Sequence, residues 1–196
     1  LTVNKWIVAE TARAAGEVTQ KLEASRFNEA AAAAYHFVYD IFCDWYLEIA
    51  KPIFNSDEED AKAETRATAA WTRDRLVELL HPFMPFITAE LWARTASAPR
   101  DKLLIESAWP DLSGLPKFED ACRDTQWVID LVSGVRSVRA EMNVPPSAKI
   151  DLVLANASEQ SKKLLARGKT VILQLARLAS ADPADALPKG SAQFVL

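Results

Sequence analysis

Apolar residues recur every three or four positions through most of the first hundred residues, the spacing of helices that bury one face. Over residues 3–24 this period is kept by Trp6, Ile7, Ala14, Val18 and Leu22, with Thr2 or Asn4 as the opening cap. The pattern restarts at Arg26-Phe27-Asn28-Glu29-Ala30. There the Asn28 side chain can accept from the first free N–H groups, and Phe27 stands at the staple position. The next helix, residues 29–50, is predicted to carry its core face on Tyr35, Val38, Tyr39, Phe42, Trp45, Tyr46 and Ile49. At about 100° per residue these seven fall within an arc of about 120°. Phe37, Asp40, Asp44, Leu47 and Lys51 make a second, mixed strip, as expected of a helix that is central in a bundle or meets a partner besides the core. Lys51-Pro52 is expected to end it.

Ser56 and Glu59 have the spacing of a capping box, and an alanine-rich helix is predicted from 57 to 80. Two prolines then fall three residues apart, at Pro82 and Pro85. Neither fits a helix interior, so Pro82 is placed just past one C-terminus and Pro85 in the first turn of the next helix, where its missing N–H costs nothing. His81, Phe83, Met84 and Phe86 would fill this corner, with His81 packing or capping. The fourth helix, 85–96, should turn Ile87, Leu91 and Trp92 inward. Residues 102–112 read as an extended segment lying across the end of the bundle.

The stretch 113–117, Ser-Gly-Leu-Pro-Lys, marks a boundary between domains at 1–112 and 113–196. A helix over 118–142 is predicted from Phe118, Cys122, Thr125, Ile129 and Val132, with Arg136 and Arg139 continuing the stripe. A second line runs through Leu131, Val135, Val138 and Met142, and Asn143 with Pro145-Pro146 ends the helix. Ile150, Leu152 and Leu154 alternate as a half-buried strand. Two short helices, Ser158 to about 167 and about 170–178, are expected on either side of Gly168, and 192–196 should begin another strand. The fold class is therefore mainly α: a helical bundle followed by a small α+β module.

Composition narrows the chemistry. Among 196 residues, 49% are apolar and the formal net charge is −4. Residues 1–112 hold 12 Lys/Arg against 18 Asp/Glu, and residues 113–196 hold 11 against 9. An acidic first part argues against function by nonspecific phosphate attraction. Cys43 and Cys122 belong to no metal-ligand pattern, and with only His36 and His81 beside them zinc has almost no candidates. Both thiols suit a reducing, cytoplasmic setting. No apolar run reaches membrane-spanning length and no signal peptide opens the chain. Leu1 and the abrupt end at Leu196 read as the limits of a piece cut from a longer chain. Phosphate loops, dinucleotide fingerprints and nucleophile elbows are all missing, and Asp40, Asp44 and Glu48 read as a solvated helix edge. No catalytic residue, metal or cofactor is expected here.

Binding remains. Aromatic side chains near helix ends can stack unpaired bases without a basic domain. Arg66 and Arg73, seven apart, nearly coincide on one helix face, and Arg26 and Lys51 stand at neighbouring helix ends. Arg136 and Arg139 occupy positions where their stripe would otherwise be apolar, so they pair internally or face an anion.

Six segments in order resemble the C-terminal part of bacterial valyl-tRNA synthetases, a family of class I aminoacyl-tRNA synthetases. They are NKWIVAE (4–10), LEASRFNEAAAAAYHFVYDIFCDWYLEIAKP (22–52), TRATAAW (65–71), LLHPFMPFITAELW (79–92), ESAWP (106–110) and VRSVRAEMNVPPSAKI (135–150). The third-last is shared with isoleucyl enzymes; FCDWYLEIAKP and RAEMNVPP are more specific to valyl. The resemblance implies a bundle that holds the anticodon stem-loop of tRNA(Val), in a cytoplasmic ligase that joins valine to tRNA with ATP and Mg. It implies no part for DNA or membrane, and contacts with the remaining domains of the parent chain. The family's HIGH and KMSKS catalytic segments, its editing domain and its terminal coiled coil are not in this sequence. A KLWNA-type helix that opens the family's bundle is also not in it, so part of the mixed strip on helix 29–50 is expected to meet other protein. The RNA-binding residues expected are Arg26, Phe27 and Asn28; Tyr46, Leu47 and Lys51; Arg66 and Arg73; and, for backbone phosphate or for docking the small module, Arg136 and Arg139. Rival readings are an isoleucyl-type bundle and a noncatalytic protein–protein scaffold.

Overall fold

A computed structural model describes residues 1–196 apart from Ser97. The chain divides into two compact units, Leu1–Phe118 and Glu119–Leu196. The first is helical throughout. α1 (Thr2–Glu23) ends at Ser25, whose φ of 59° reverses the chain, with Arg26 N–H donating back to the Lys21 carbonyl at 2.8 Å. α2 (Phe27–His36), a π-helical stretch (Phe37–Leu47) and α3 (Glu48–Phe54) follow without interruption. After a four-residue turn comes α4 (Glu59–Leu80), then α5 (Pro85–Arg94) with Pro85 in its first turn, as expected.

The π-helical stretch changes which residues face the core. Phe37 and Tyr46 are nine residues apart, so α-helical winding would set them on opposite sides. A π-helix turns by only roughly 80° per residue, and nine such steps return to about the same face. Accordingly Phe37 is 1% exposed and Tyr46 0%. The expected stripe held for Tyr46 and Ile49 but not for Tyr35 and Tyr39, which lie outside at 59% and 51% exposure, their rings stacked 4.3 Å apart. Phe37, expected on the mixed strip, is core.

Other local expectations are corrected as well. Phe27 is the first helical residue, and the Asn28 side chain makes no cap bond. Ser56 does not form a capping box: its hydroxyl donates to the Ile53 carbonyl at 2.8 Å and accepts from Glu58 N–H at 3.3 Å, holding the turn instead. Pro52 lies inside α3, in its last turn, with Ile53 and Phe54 still helical after it. Of the three residues expected to turn inward on α5, Trp92 does so, packing with Val77 and Leu104, while Ile87 and Leu91 are exposed. The proline corner is closed by a relay. The Thr88 hydroxyl donates to the Met84 carbonyl at 2.7 Å, so the His81 ring, 2.7 Å away, is the donor to Thr88 through Nδ1. Residues 102–112 strap the bundle with a single 3₁₀ turn, Leu104–Glu106. Trp92 donates to the Lys102 carbonyl at its start, and Trp109 donates to Thr19 Oγ1 at 2.7 Å near its end.

Glu78, on α4, is 6% exposed and pairs with Arg75 at 2.9 Å. Burial raises its carboxyl pKa to about 7, against the counter-pull of Arg75; Asp74 adds to the rise and Arg100 opposes it. A raised carboxyl pKa means the folded state holds a proton that the unfolded state has released. Stability should therefore fall as pH climbs from about 4.5 to about 7, by at most about 3 kcal/mol. Denaturant unfolding at several pH values checks this: Glu78→Gln is expected to flatten the decline.

In the second unit, α6 (Glu119–Glu141) ends at Asn143, φ 50°, with Val144 N–H donating to the Arg139 carbonyl at 2.9 Å. β1 (Ile150–Ala155), α7 (Glu159–Ala176) and β2 (Leu178–Ala184) form a β–α–β crossover, with β1 and β2 parallel and Leu152 opposite Ala181. The Ser158 hydroxyl caps α7, accepting from Ser161 N–H at 3.0 Å. Gly168 does not break the helix. A Cβ there would stand 3.3 Å from Ile172 and 3.5 Å from Val128 of α6, so the glycine admits close helix packing. The expected strand at 192–196 has no ladder partner, whereas β2 escaped the sequence reading because Ala, Ser, Asp and Pro are poor strand formers.

Candidate nucleic-acid interface

Short turns make successive helices antiparallel, so α1 and α4 run the same way, as the Leu1 amine on Glu64 and Asn4 Nδ2 on Thr65 Oγ1 (3.1 Å) also show. This topology separates the residues expected to form one surface. Arg26, Phe27 and Asn28 lie at the end of the bundle where α1 finishes. Lys51 and Arg66 lie toward the end where it begins, roughly 30 Å away along α2, the π-helical stretch and α3. Arg136 and Arg139 belong to the other unit.

At the α1–α2 turn Arg26, Phe27 and Asn28 are all exposed, Phe27 to 60%. Arg26 pairs with Glu29 at 3.2 Å. At the opposite end Lys51 is exposed and pairs with Glu48, Leu47 is half-buried, and Arg66 is exposed with no ion pair among the described residues. Ile53 and Phe54 lie half-buried beside Lys51 in α3. The acidic run Asp57–Asp60 adjoins them at the start of α4.

Three expected residues are structural instead, and a fourth is tied up. Tyr46 is wholly buried; its hydroxyl donates to Asn4 Oδ1 at 3.1 Å and lies 3.4 Å from the Thr65 carbonyl. Burial, reinforced by the Glu64 charge, pushes its pKa far above the ordinary phenol value. It ties α1 to α4 and leaves no ring face for a base. Arg139, 7% exposed, donates to the carbonyls of Ala148 (2.8 Å), Pro145 (3.0 Å) and Arg177 (3.3 Å). Arg136 donates twice to the Leu175 carbonyl, at 3.1 and 3.2 Å. These arginines gather backbone carbonyls within their own unit, which accounts for their place in an apolar stripe. Arg73 is half-buried against Asp74 at 2.9 Å, and Asp74 also holds Arg100 at 2.7 Å.

The exposed Tyr35–Tyr39 stack was missed by the sequence reading, because nothing in the residue types announces a π-helical phase change. Beside it His36 Nδ1 and Asp40 Oδ2 are 2.5 Å apart. Among the described residues no group of His, Cys, Asp or Glu is arranged to hold a metal ion, and no helix is long and apolar enough to cross a membrane.

Residues 4–154 match the family model described as the anticodon-binding domain of tRNA ligase. Valine–tRNA ligase of Mesorhizobium japonicum is 52% identical over 100% of this chain and 21% of its own length. That of Caulobacter vibrioides is 51% identical over 99% of the chain and 22% of its own length, and that of Nitrobacter winogradskyi 45% over 100% and 23%. The chain thus spans about a fifth of the length of these curated relatives.

Proposed function

Because the chain belongs to the family of anticodon-binding domains of tRNA ligases, we propose that its helical unit grips the anticodon arm of tRNA(Val) as part of a cytoplasmic valine–tRNA ligase. The observation that carries this reading is the family match over residues 4–154. In this reading valine activation with ATP and Mg, and transfer to tRNA, take place in parts of the ligase outside this sequence. Residues 1–196 supply grip and position. Binding energy collected on bases far from the reacting end aligns the tRNA only if the gripping surface is stiff, and close packing around the proline corner and the Tyr46–Asn4–Thr65 junction provides that stiffness.

The α3–α4 end is the favoured surface. Arg66 makes no ion pair among the described residues and only a longer-range attraction to Glu59, Lys51 has only a surface pair worth little to break, and Leu47, Ile53 and Phe54 offer apolar area beside them. At the α1–α2 turn one arginine is already paired with Glu29. Titration of labelled anticodon arm with paired variants tests the choice. Lys51→Ala with Arg66→Ala should weaken binding about 10-fold or more and make the logarithmic salt dependence shallower by about 1.5. Arg26→Ala with Phe27→Ala should change affinity less than about 3-fold. The reverse order would move the site to the other end.

A further inference from the structure

We propose that Asn4 is a positioning residue for RNA binding: its buried amide sets where Arg66 and Leu47 stand, a role that rests on the α3–α4 surface put forward above. Asn4 is 3% exposed. Its side chain reaches two other helical segments at once. Nδ2 donates to Thr65 Oγ1 at 3.1 Å and to Glu64 Oε1 at 3.0 Å on α4, while Oδ1 accepts from the Tyr46 hydroxyl at 3.1 Å. Chemistry dictates which way the amide points. A carboxylate only accepts, so the nitrogen faces Glu64 and the oxygen is left for Tyr46.

Each of these partners stands one residue before a candidate contact, Tyr46 before Leu47 and Thr65 before Arg66. The π-helical stretch and α4 run antiparallel and face each other here, with the Tyr46 hydroxyl 3.4 Å from the Thr65 carbonyl. A helix turns its next residue by roughly 80–100°. In facing antiparallel helices of one hand, these turns carry both next residues to the same side of the pair. Leu47 and Arg66 therefore emerge together. Glu64, one residue before Thr65, is carried to the other side, where Asn4 bonds it. α1 thus braces the pair from the side away from Leu47 and Arg66.

The brace fixes rotation as well as distance. Apolar packing holds helices together but is non-directional, whereas hydrogen bonds weaken steeply when misaligned. Tyr46 and Thr65 are each 0% exposed, so a helix that turned away would leave buried polar atoms unpaired. A rotation of about 20° moves a side-chain atom roughly 6 Å from the helix axis by about 2 Å, enough to break a hydrogen bond to a base or phosphate.

A double-mutant cycle on binding of the labelled tRNA(Val) anticodon arm tests this. Asn4→Leu is expected to weaken binding about 5-fold or more, but less than about 2-fold where Arg66 is already alanine, because the arginine it misplaces is then gone. Tyr46→Phe keeps the ring and removes only the hydroxyl, and should repeat the pattern if Asn4→Leu does not fold. Val77→Ala loosens α4 at a buried site about 18 Å along the helix and should change affinity less than about 2-fold. An Asn4→Leu loss that is absent, or undiminished beside Arg66→Ala, would overturn the positioning role alone. An equal loss from Val77→Ala would do the same. Arg66→Ala without effect on affinity would overturn the α3–α4 surface and the positioning role together.

Discussion

Phe37→Ala is expected to destabilise the helical unit by about 3–5 kcal/mol, while Tyr35→Ala, two residues away, should change stability by no more than about 0.5 kcal/mol. Phe37 is 1% exposed, so its loss opens a cavity that packed helices close only in part; Tyr35 stands 59% in solvent and shares contact mainly with the ring of Tyr39. Uninterrupted α-helical winding predicts the opposite ranking, because it turns Tyr35 inward with Tyr46 and sends Phe37 to the other side. Urea unfolding of the two variants decides between the windings. Equal losses, or a larger loss at Tyr35, would show that the π-helical stretch does not persist in solution.

Arg139→Leu should cost the second unit about 3 kcal/mol or more. Leucine fills part of the space but leaves the carbonyls of Pro145, Ala148 and Arg177 without their shared donor, and each buried carbonyl left unpaired costs about 1–3 kcal/mol. These three carbonyls belong to the loop before β1 and the turn before β2, so the guanidinium holds both strand entrances against α6. The expected signature is faster hydrogen exchange throughout β1 and β2. Unchanged exchange in those strands, with weaker tRNA binding, would return Arg139 to the role of a phosphate contact.

The limits of α1, α4, α5 and α6 were legible because each combines a sustained helical period with strong stop signals: Pro82 and Pro85 around the corner, Asn143 before Pro145-Pro146. Where one residue was asked to stop a helix alone, the packing overruled it. Gly168 stays inside α7 because α6 needs to come close, and Pro52 sits within the last turn of α3. The phase of the central helix was not legible, since the same residue types serve α- and π-helical winding and only three-dimensional packing selects between them. Of the candidate site, residue types and helix ends were readable, but their grouping was not. Lys51 and Arg66 lie at one end of the bundle and Arg26 at the other, while Tyr46 and Arg139 spend their polar atoms inside the protein and the exposed Arg136 donates to the Leu175 carbonyl. A carbonyl cage such as that of Arg139 depends on backbone atoms whose placement no side-chain pattern encodes.

The most direct test of the account is a titration of the unmodified chain with the tRNA(Val) anticodon stem-loop at two salt concentrations, alongside a hairpin identical except for its anticodon. Tighter binding to the valine hairpin, by about 10-fold or more and weakening as salt rises, is the predicted result. Equal affinity for the two hairpins would contradict it.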